Sequence, residues 1–475
     1  MKKLPSAANG DRAMSGSDWV ATSATSLADD IRSRQRSSEE VVTAVLERIE
    51  AVNPSINAVV RRIDGVLDLA RRADEQLARG EVTGPLHGLP FTIKDSFDTA
   101  GTVTTAGTIG WRDRVPDTDA TVVARLREAG GILVGKTNTP EFTWSDETDN
   151  DVFGRTSNPY DVTRTPGGSS GGSAAIVAAG ASPFDVGSDT GDSIRQPAHV
   201  CGVAGIKPTT GRVPRTGHSP DFRGLFQAYT QLGPIARYVE DLELILPIIA
   251  GPDGVDPFVY PVALGDPAAV AVGGLRVAMF TDNGVRTPTA ETAEAVRAAA
   301  QALEAAGANV EERRPPAMDE VADAWQSLVS ADGHAWLTRL VKAAGTPGHG
   351  SYDTRRWVQF TDGSSGAELT ALVERADAVR SRMLQWMREV DVIVCPAMPQ
   401  PAILHGGSND PAFGDTYSDV HNLTGFPAVV VRGGTSPEGL PIGVQLVAKP
   451  WREDVALAAA RVVEAASGGW RPPPG

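Results

Sequence analysis

Apolar residues return every three or four positions through SSEEVVTAVLERIEAVNP, where Val42, Val45, Ile49 and Val52 share one face. That period predicts an amphipathic helix. Ser37 and Glu40 stand at capping-box spacing at its start, and Asn53-Pro54 is expected to end it. The pattern then changes. In PLHGLPFTIKDSF the segment FTIKD alternates as a strand does, with Lys94 near its end. DATVVARLREAGGILVGKTN reads as a helix, a Gly-Gly stop and the buried strand ILVG. The same step recurs in ETAEAVRAAAQALEAAGANVEE, with LRVAMF as the strand before it. Such alternation predicts an α/β fold, a mostly parallel sheet with helices on both faces.

From about Met318 to Glu389 the pattern is mainly helical, broken by polar stretches such as GTPGHGSYDTRR. This stretch, 318–389, reads as a helical insert covering one end of the sheet, over the substrate. Its aromatics Trp325, Trp336, Trp357 and Phe360 are expected to pack in the core. VDVIVCPAM, FPAVVVRGG and LPIGVQLVAKP supply further strands, and EDVALAAARVVEAA a closing helix. No repeat period is present. GPDGVDPFVYPVALGDP reads as a surface connection within one domain, so residues 18–475 form a single α/β/α domain around a large twisted mixed sheet. Residues 1–17 carry lysines with no apolar run behind them, which predicts a flexible arm rather than a secretory signal.

Composition narrows the function classes. With 475 residues, 41% hydrophobic and 22% charged, the chain reads as globular rather than disordered. No apolar stretch is long enough to span a bilayer, so no membrane partner is expected. The net charge of −15 predicts no nucleic-acid partner, because a phosphate backbone is repelled by it. Cys201 and Cys395 read as small buried hydrophobes in a reducing cytoplasm. Seven histidines show no metal-ligand spacing, so neither a metal nor a cofactor is expected.

Two stretches carry candidate chemistry. TPGGSSGGSAAIVAAGAS matches G-x-S-x-G at both Ser169 and Ser170, but NPYDVTRTP before it is loop chemistry, whereas a nucleophile elbow needs a strand there. GSDTGDSIRQP presents Ser193 in a turn of small residues before a short helix, where it could serve as a nucleophile or a cap. No histidine motif accompanies it. By composition alone Lys94, Lys136 and Lys207 are equally available as its base.

Together these stretches resemble the signature of the amidase signature family of serine hydrolases. The resemblance extends to HGLPFTIKDSFDTAG, FGRTSNPYD, LGPIARYVEDLELIL, DVIVCPAMPQPA and NLTGFPAVVV, nearly the whole chain. It implies a Ser–Ser–Lys arrangement with Lys94 as base, Ser169 as the bridging serine beside a cis peptide bond, and Ser193 as nucleophile. It also implies an oxyanion hole from the backbone amides of Thr190, Gly191, Asp192 and Ser193. Ser188 is expected to support the relay, Ser170 to serve the backbone, and Asp189 and Arg195 to brace the loop as an ion pair. The physics is coherent: lysine in water is neutral only about once in two thousand at pH 7, and burial raises that share.

The family turn usually reads Gly-Gly-Ser, and here it reads Gly191-Asp192-Ser193. A carboxylate about 4 Å from the oxyanion would cost about 4 kcal/mol at an effective dielectric of 20. The expectation is that Asp192 turns away and the enzyme is active. The implied function is hydrolysis of small or linear amides, with carbamates (urethanes) and esters sharing the carbonyl chemistry. Substrates would be small molecules, and homodimers are frequent in the family. Two alternatives remain: the amidase subunit of a tRNA-dependent amidotransferase, and a family member impaired by Asp192.

Overall fold

The predicted capping box is closed. Ser37 Oγ accepts the Glu40 N–H at 3.0 Å, and the Glu40 carboxylate accepts the Ser37 N–H at 2.7 Å. The helix Ser38–Ile56 buries Val41, Val42, Val45 and Ile49, but it runs through Pro54 instead of stopping there. A proline in the last turn removes a single ladder bond, so the stop falls to Asn57, which adopts the left-handed conformation at φ 48.

A computed structural model describes residues 18–474 except 317, 349, 351–353, 355–362 and 410–416. The predicted arm 1–17, and Trp357 and Phe360 of the insert, lie outside the described residues. Strands β1 (Val59–Arg62), β2 (Pro90–Lys94) and β3 (Ile132–Thr137) form a three-stranded sheet in the order β1-β3-β2. Lys94 ends β2, as its alternation predicts.

The remaining strands are β4 (Phe184–Asp189), β5 (Ala204–Lys207), β6 (Gln231–Ala236), β7 (Arg276–Met279), β8 (Asn309–Glu312), β9 (Val392–Pro396), β10 (Ala428–Thr435) and β11 (Pro441–Ala448). They make an eight-stranded sheet in the order β4-β6-β5-β10-β11-β9-β7-β8. It is mixed rather than mostly parallel. β7 lies parallel to β8 and β9, but β4-β6, β5-β6, β5-β10, β10-β11 and β9-β11 are antiparallel. The tight link from β10 to β11 has no room for a crossover helix, so that pair must be antiparallel.

Thr92 on β2 donates to Asp185 on β4 at 2.7 Å, and the Phe91 and Phe184 rings stack at 5.3 Å, so the small sheet abuts the edge of the large one. Helices Ala290–Ala305 and Glu453–Ser467 pack on β10. The insert contributes helices Met318–Val329, Ala335–Ala344 and Gly366–Trp386, and its Trp325 and Trp336 are buried among Phe226, Tyr229 and Val420. No helix among the described residues is long and apolar enough to cross a membrane.

The Gly/Ser run 167–172 is packed core. A Cβ on Gly168 would sit 2.4 Å from the Ser145 carbonyl oxygen, and one on Gly172 2.4 Å from the Asn138 nitrogen. Only glycine allows the backbones to approach this closely.

Candidate active site

Three hydroxyls converge on one amine. Lys94, at the end of β2, is fully buried and donates from Nζ to Ser169 Oγ at 2.7 Å, Ser170 Oγ at 2.9 Å and Ser188 Oγ at 3.0 Å. Ser169 and Ser170 precede the helix Gly171–Ala178, and Ser188 lies on β4. The Gly168–Ser169 peptide bond is cis. Ser170, expected to serve the backbone as a cap, makes no side-chain capping bond to that helix. It donates instead to the Ser188 carbonyl at 3.2 Å, and it therefore meets Lys94 as an acceptor. Burial pushes the Lys94 ammonium down to about 7, against the opposing pull of Asp189, Asp185 and Asp192.

The other two lysines face elsewhere. Lys136 donates to the Phe97 carbonyl and to Thr99 Oγ1, and Lys207 donates to the Phe426 carbonyl at 2.7 Å and the Pro208 carbonyl at 3.1 Å. Burial pushes Lys207 to about 7 as well, so proton affinity alone does not single out Lys94. Geometry does: of the three, Lys94 is the one bonded to the serines.

Ser193 is half-buried, in the turn between β4 and the helix Arg195–Cys201. The turn is held from behind. Arg195 and Asp189 are fully buried and pair at 2.8 Å, and Asp189 Oδ2 also accepts the Ile194 N–H at 3.0 Å, so Asp189 rather than Ser193 caps the helix. Arg195 further donates to the Gly191 carbonyl at 2.6 Å and Gln445 Oε1 at 2.9 Å, while Asn422 Nδ2 reaches Asp189 Oδ1 at 2.9 Å. The Ser170 N–H donates to the Ser193 carbonyl at 3.2 Å, which ties the two serine segments together. Among the described residues the amide N–H groups of Gly191 and Ser193 make no hydrogen bond within the protein, as donors kept for an oxyanion would not.

Asp192 does not turn to solvent. It is buried, 4% exposed, and its Oδ1 lies 3.5 Å from Ser193 Oγ, which donates to it. Three further residues face the site without a local signal in the sequence. Asp419 Oδ1 and the Trp325 ring lie 3.2 Å and 3.7 Å from where a Gly191 Cβ would be, so both face the turn. His218, next to Phe97, donates from Nδ1 to the Pro220 carbonyl at 3.0 Å, and burial beside Lys94 holds it neutral. Among the described residues no cluster of three His, Cys, Asp or Glu side chains could hold a metal ion.

Residues 40–457 match the Amidase family model. The chain is 35% identical over 474 residues to a subunit of glutamyl-tRNA(Gln) amidotransferase from Picosynechococcus sp., covering 93% of this chain and 97% of that one. It is 36% identical over 467 residues to the protein of the same name from Moorella thermoacetica, covering 92% and 95%. In structure it is similar to 6-aminohexanoate cyclic dimer hydrolase, with a TM-score of 0.86, 31% identity, and coverage of 96% and 99%. These matches correct the expectation of a small-molecule substrate with no nucleic acid, since the curated relatives are named for a glutamyl-tRNA. The −15 charge is an average over one chain, and such an average does not describe a local surface or one shared with other chains.

Proposed function

The chain belongs to the Amidase family and is a hydrolase of carbon–nitrogen bonds, and from that premise we propose that Ser193 is its nucleophile, that Ser169 and Lys94 form its proton relay, and that it releases ammonia from a carboxamide as the amidase subunit of a tRNA-dependent amidotransferase. The observation that carries the relay is the 2.7 Å contact from a buried Lys94 Nζ, with its pKa near 7, to Ser169 Oγ. The curated relatives support the assignment to an amidotransferase.

A neutral Lys94 has two N–H bonds and one lone pair. Ser170, whose own proton goes to the Ser188 carbonyl, takes one N–H, and Ser188 Oγ takes the other. The lone pair is left for the Ser169 hydroxyl proton. Ser169 Oγ accepts the proton of Ser193 as Ser193 Oγ bonds to the substrate carbonyl carbon. The amides of Thr190, Gly191, Asp192 and Ser193 receive the negative oxygen. The relay then returns its proton to the departing nitrogen, the C–N bond breaks, and the acyl group stays on Ser193. Water repeats the sequence and frees the acid. Helices of the stretch 318–389, with Trp325 beside Gly191, form the substrate cover in this reading, and a cytoplasmic setting belongs to it.

A free-standing hydrolase of linear amides, carbamates or esters is the second reading, favoured by the TM-score of 0.86 to 6-aminohexanoate cyclic dimer hydrolase. Ammonia release from glutamine separates the two. The amidotransferase reading expects turnover that rises strongly when glutamyl-tRNA and the cognate partner chains are added. Turnover of linear 6-aminohexanoyl amides by the chain alone, with glutamine untouched under both conditions, would overturn it in favour of the second.

A further inference from the structure

We infer that Asp192 is a positioning residue that holds the Ser193 hydroxyl away from Ser169, so that the unliganded enzyme rests with its nucleophile disengaged. The inference rests on the Ser193 reading above and adds a control to it.

Among the described residues the Ser193 hydroxyl makes one hydrogen bond, to Asp192 Oδ1 at 3.5 Å, and none to Ser169. A hydroxyl has a single proton, so it serves either the carboxylate or the relay at any moment. The backbone around it is fixed. The Ser193 carbonyl is bound by the Ser170 N–H at 3.2 Å, the Asp192 carbonyl by the Gln196 N–H at 2.7 Å, and the Ile194 N–H by Asp189. With the turn held at these three points, a change of partner falls to rotation about the Ser193 Cα–Cβ bond. Asp192 is buried, so water competes little for its oxygens. Asp419 faces Gly191 from the helix Asp419–Thr424, and like-charge repulsion discourages Asp192 from swinging that way.

The same carboxylate acts on the base. The charged groups facing Lys94 are Asp185 and Asp189 from β4 and Asp192 from the turn, while His218 on the loop after β5 is neutral. Each of the three carboxylates favours protonated Lys94. Removing Asp192 therefore lowers the pH at which the amine becomes free to accept a proton.

The test is the rate of Ser193 modification by a small alkyl fluorophosphonate, followed against pH in the wild type, Asp192→Gly and Asp192→Asn. Asp192→Gly frees the hydroxyl and removes the charge, and its rate should rise about tenfold with the acid limb displaced to lower pH. Asp192→Asn keeps an acceptor without the charge, so it should show the displaced limb with a smaller rise. If Asp192→Gly fails to fold, the labelling rate of Asp192→Ala, which also removes the acceptor of the Ser193 hydroxyl, decides in its place. Rates and limbs equal to wild type in labelled, folded variants would overturn this inference and leave the nucleophile reading intact. A wild-type enzyme unlabelled at Ser193 would overturn both.

Discussion

Lys94 Nζ donates to Ser169 Oγ across 2.7 Å, inside a pocket where both side chains are closed to solvent. That contact joins the end of β2 to a glycine-rich turn 75 residues away. Because Ser170 and Ser188 take the two N–H bonds of the neutral amine, its lone pair is left facing the Ser169 hydroxyl.

Replacing the amine should therefore stop acylation. Lys94→Met is expected to lower kcat/KM by about 10²- to 10⁴-fold, the scale of a general base. Lys94→Arg should not rescue it, because a guanidinium stays charged in proteins. Lys207→Met should retain Ser193 labelling, since Lys207 is bonded to carbonyls rather than serines. Steady-state kinetics on the three purified variants checks this.

The pH profile follows from the direction of the Lys94 shift. Burial lowers its pKa from 10.5 to about 7, and only the neutral amine accepts a proton. The kcat/KM should rise with pH through a limb near 7 and then level off. A titration of initial rates reads the limb, and a profile that rises only toward the pKa of an exposed lysine would contradict it.

How much of this is legible in the sequence differs residue by residue. The capping box at Ser37, the strand ending at Lys94 and the step from the helix Ala290–Ala305 to β8 depend on neighbours in the chain, and local pattern carries them. The choice of Lys94 over Lys136 and Lys207 comes from family resemblance, because composition cannot say which amine meets a serine. Strand pairing escapes local pattern, since β5 finds β10 across more than 200 residues. For the same reason Asp419 and Trp325, which reach Gly191 from distant segments, leave no local sign. The turn of Asp192 toward Ser193 depends on the packing around it, which the departure from Gly-Gly-Ser does not reveal.

The hydroxyls around Lys94 should have separable effects. Ser170→Ala and Ser188→Ala each remove one acceptor that orients the neutral amine, worth about 0.5–1.5 kcal/mol, or roughly a twofold to tenfold loss in kcat. Circular dichroism should show an unchanged fold, and KM should move little, because neither hydroxyl is assigned to substrate.

The brace behind the nucleophile governs stability instead. Arg195→Met leaves the fully buried Asp189 without its ion-pair partner and strips a donor from the Gly191 carbonyl. Breaking such a pair on one side costs about 3–5 kcal/mol, so denaturant unfolding should shift strongly toward lower concentration. Asp189→Asn should show a comparable loss, since it also removes the anion that caps Ile194.

Mapping the site of fluorophosphonate attachment by peptide mass spectrometry tests the central claim most directly. Wild-type protein should carry the adduct on Ser193, and Lys94→Met should carry none in the same time. An adduct on Ser170, no adduct on any serine, or equal labelling of wild type and Lys94→Met would contradict the account.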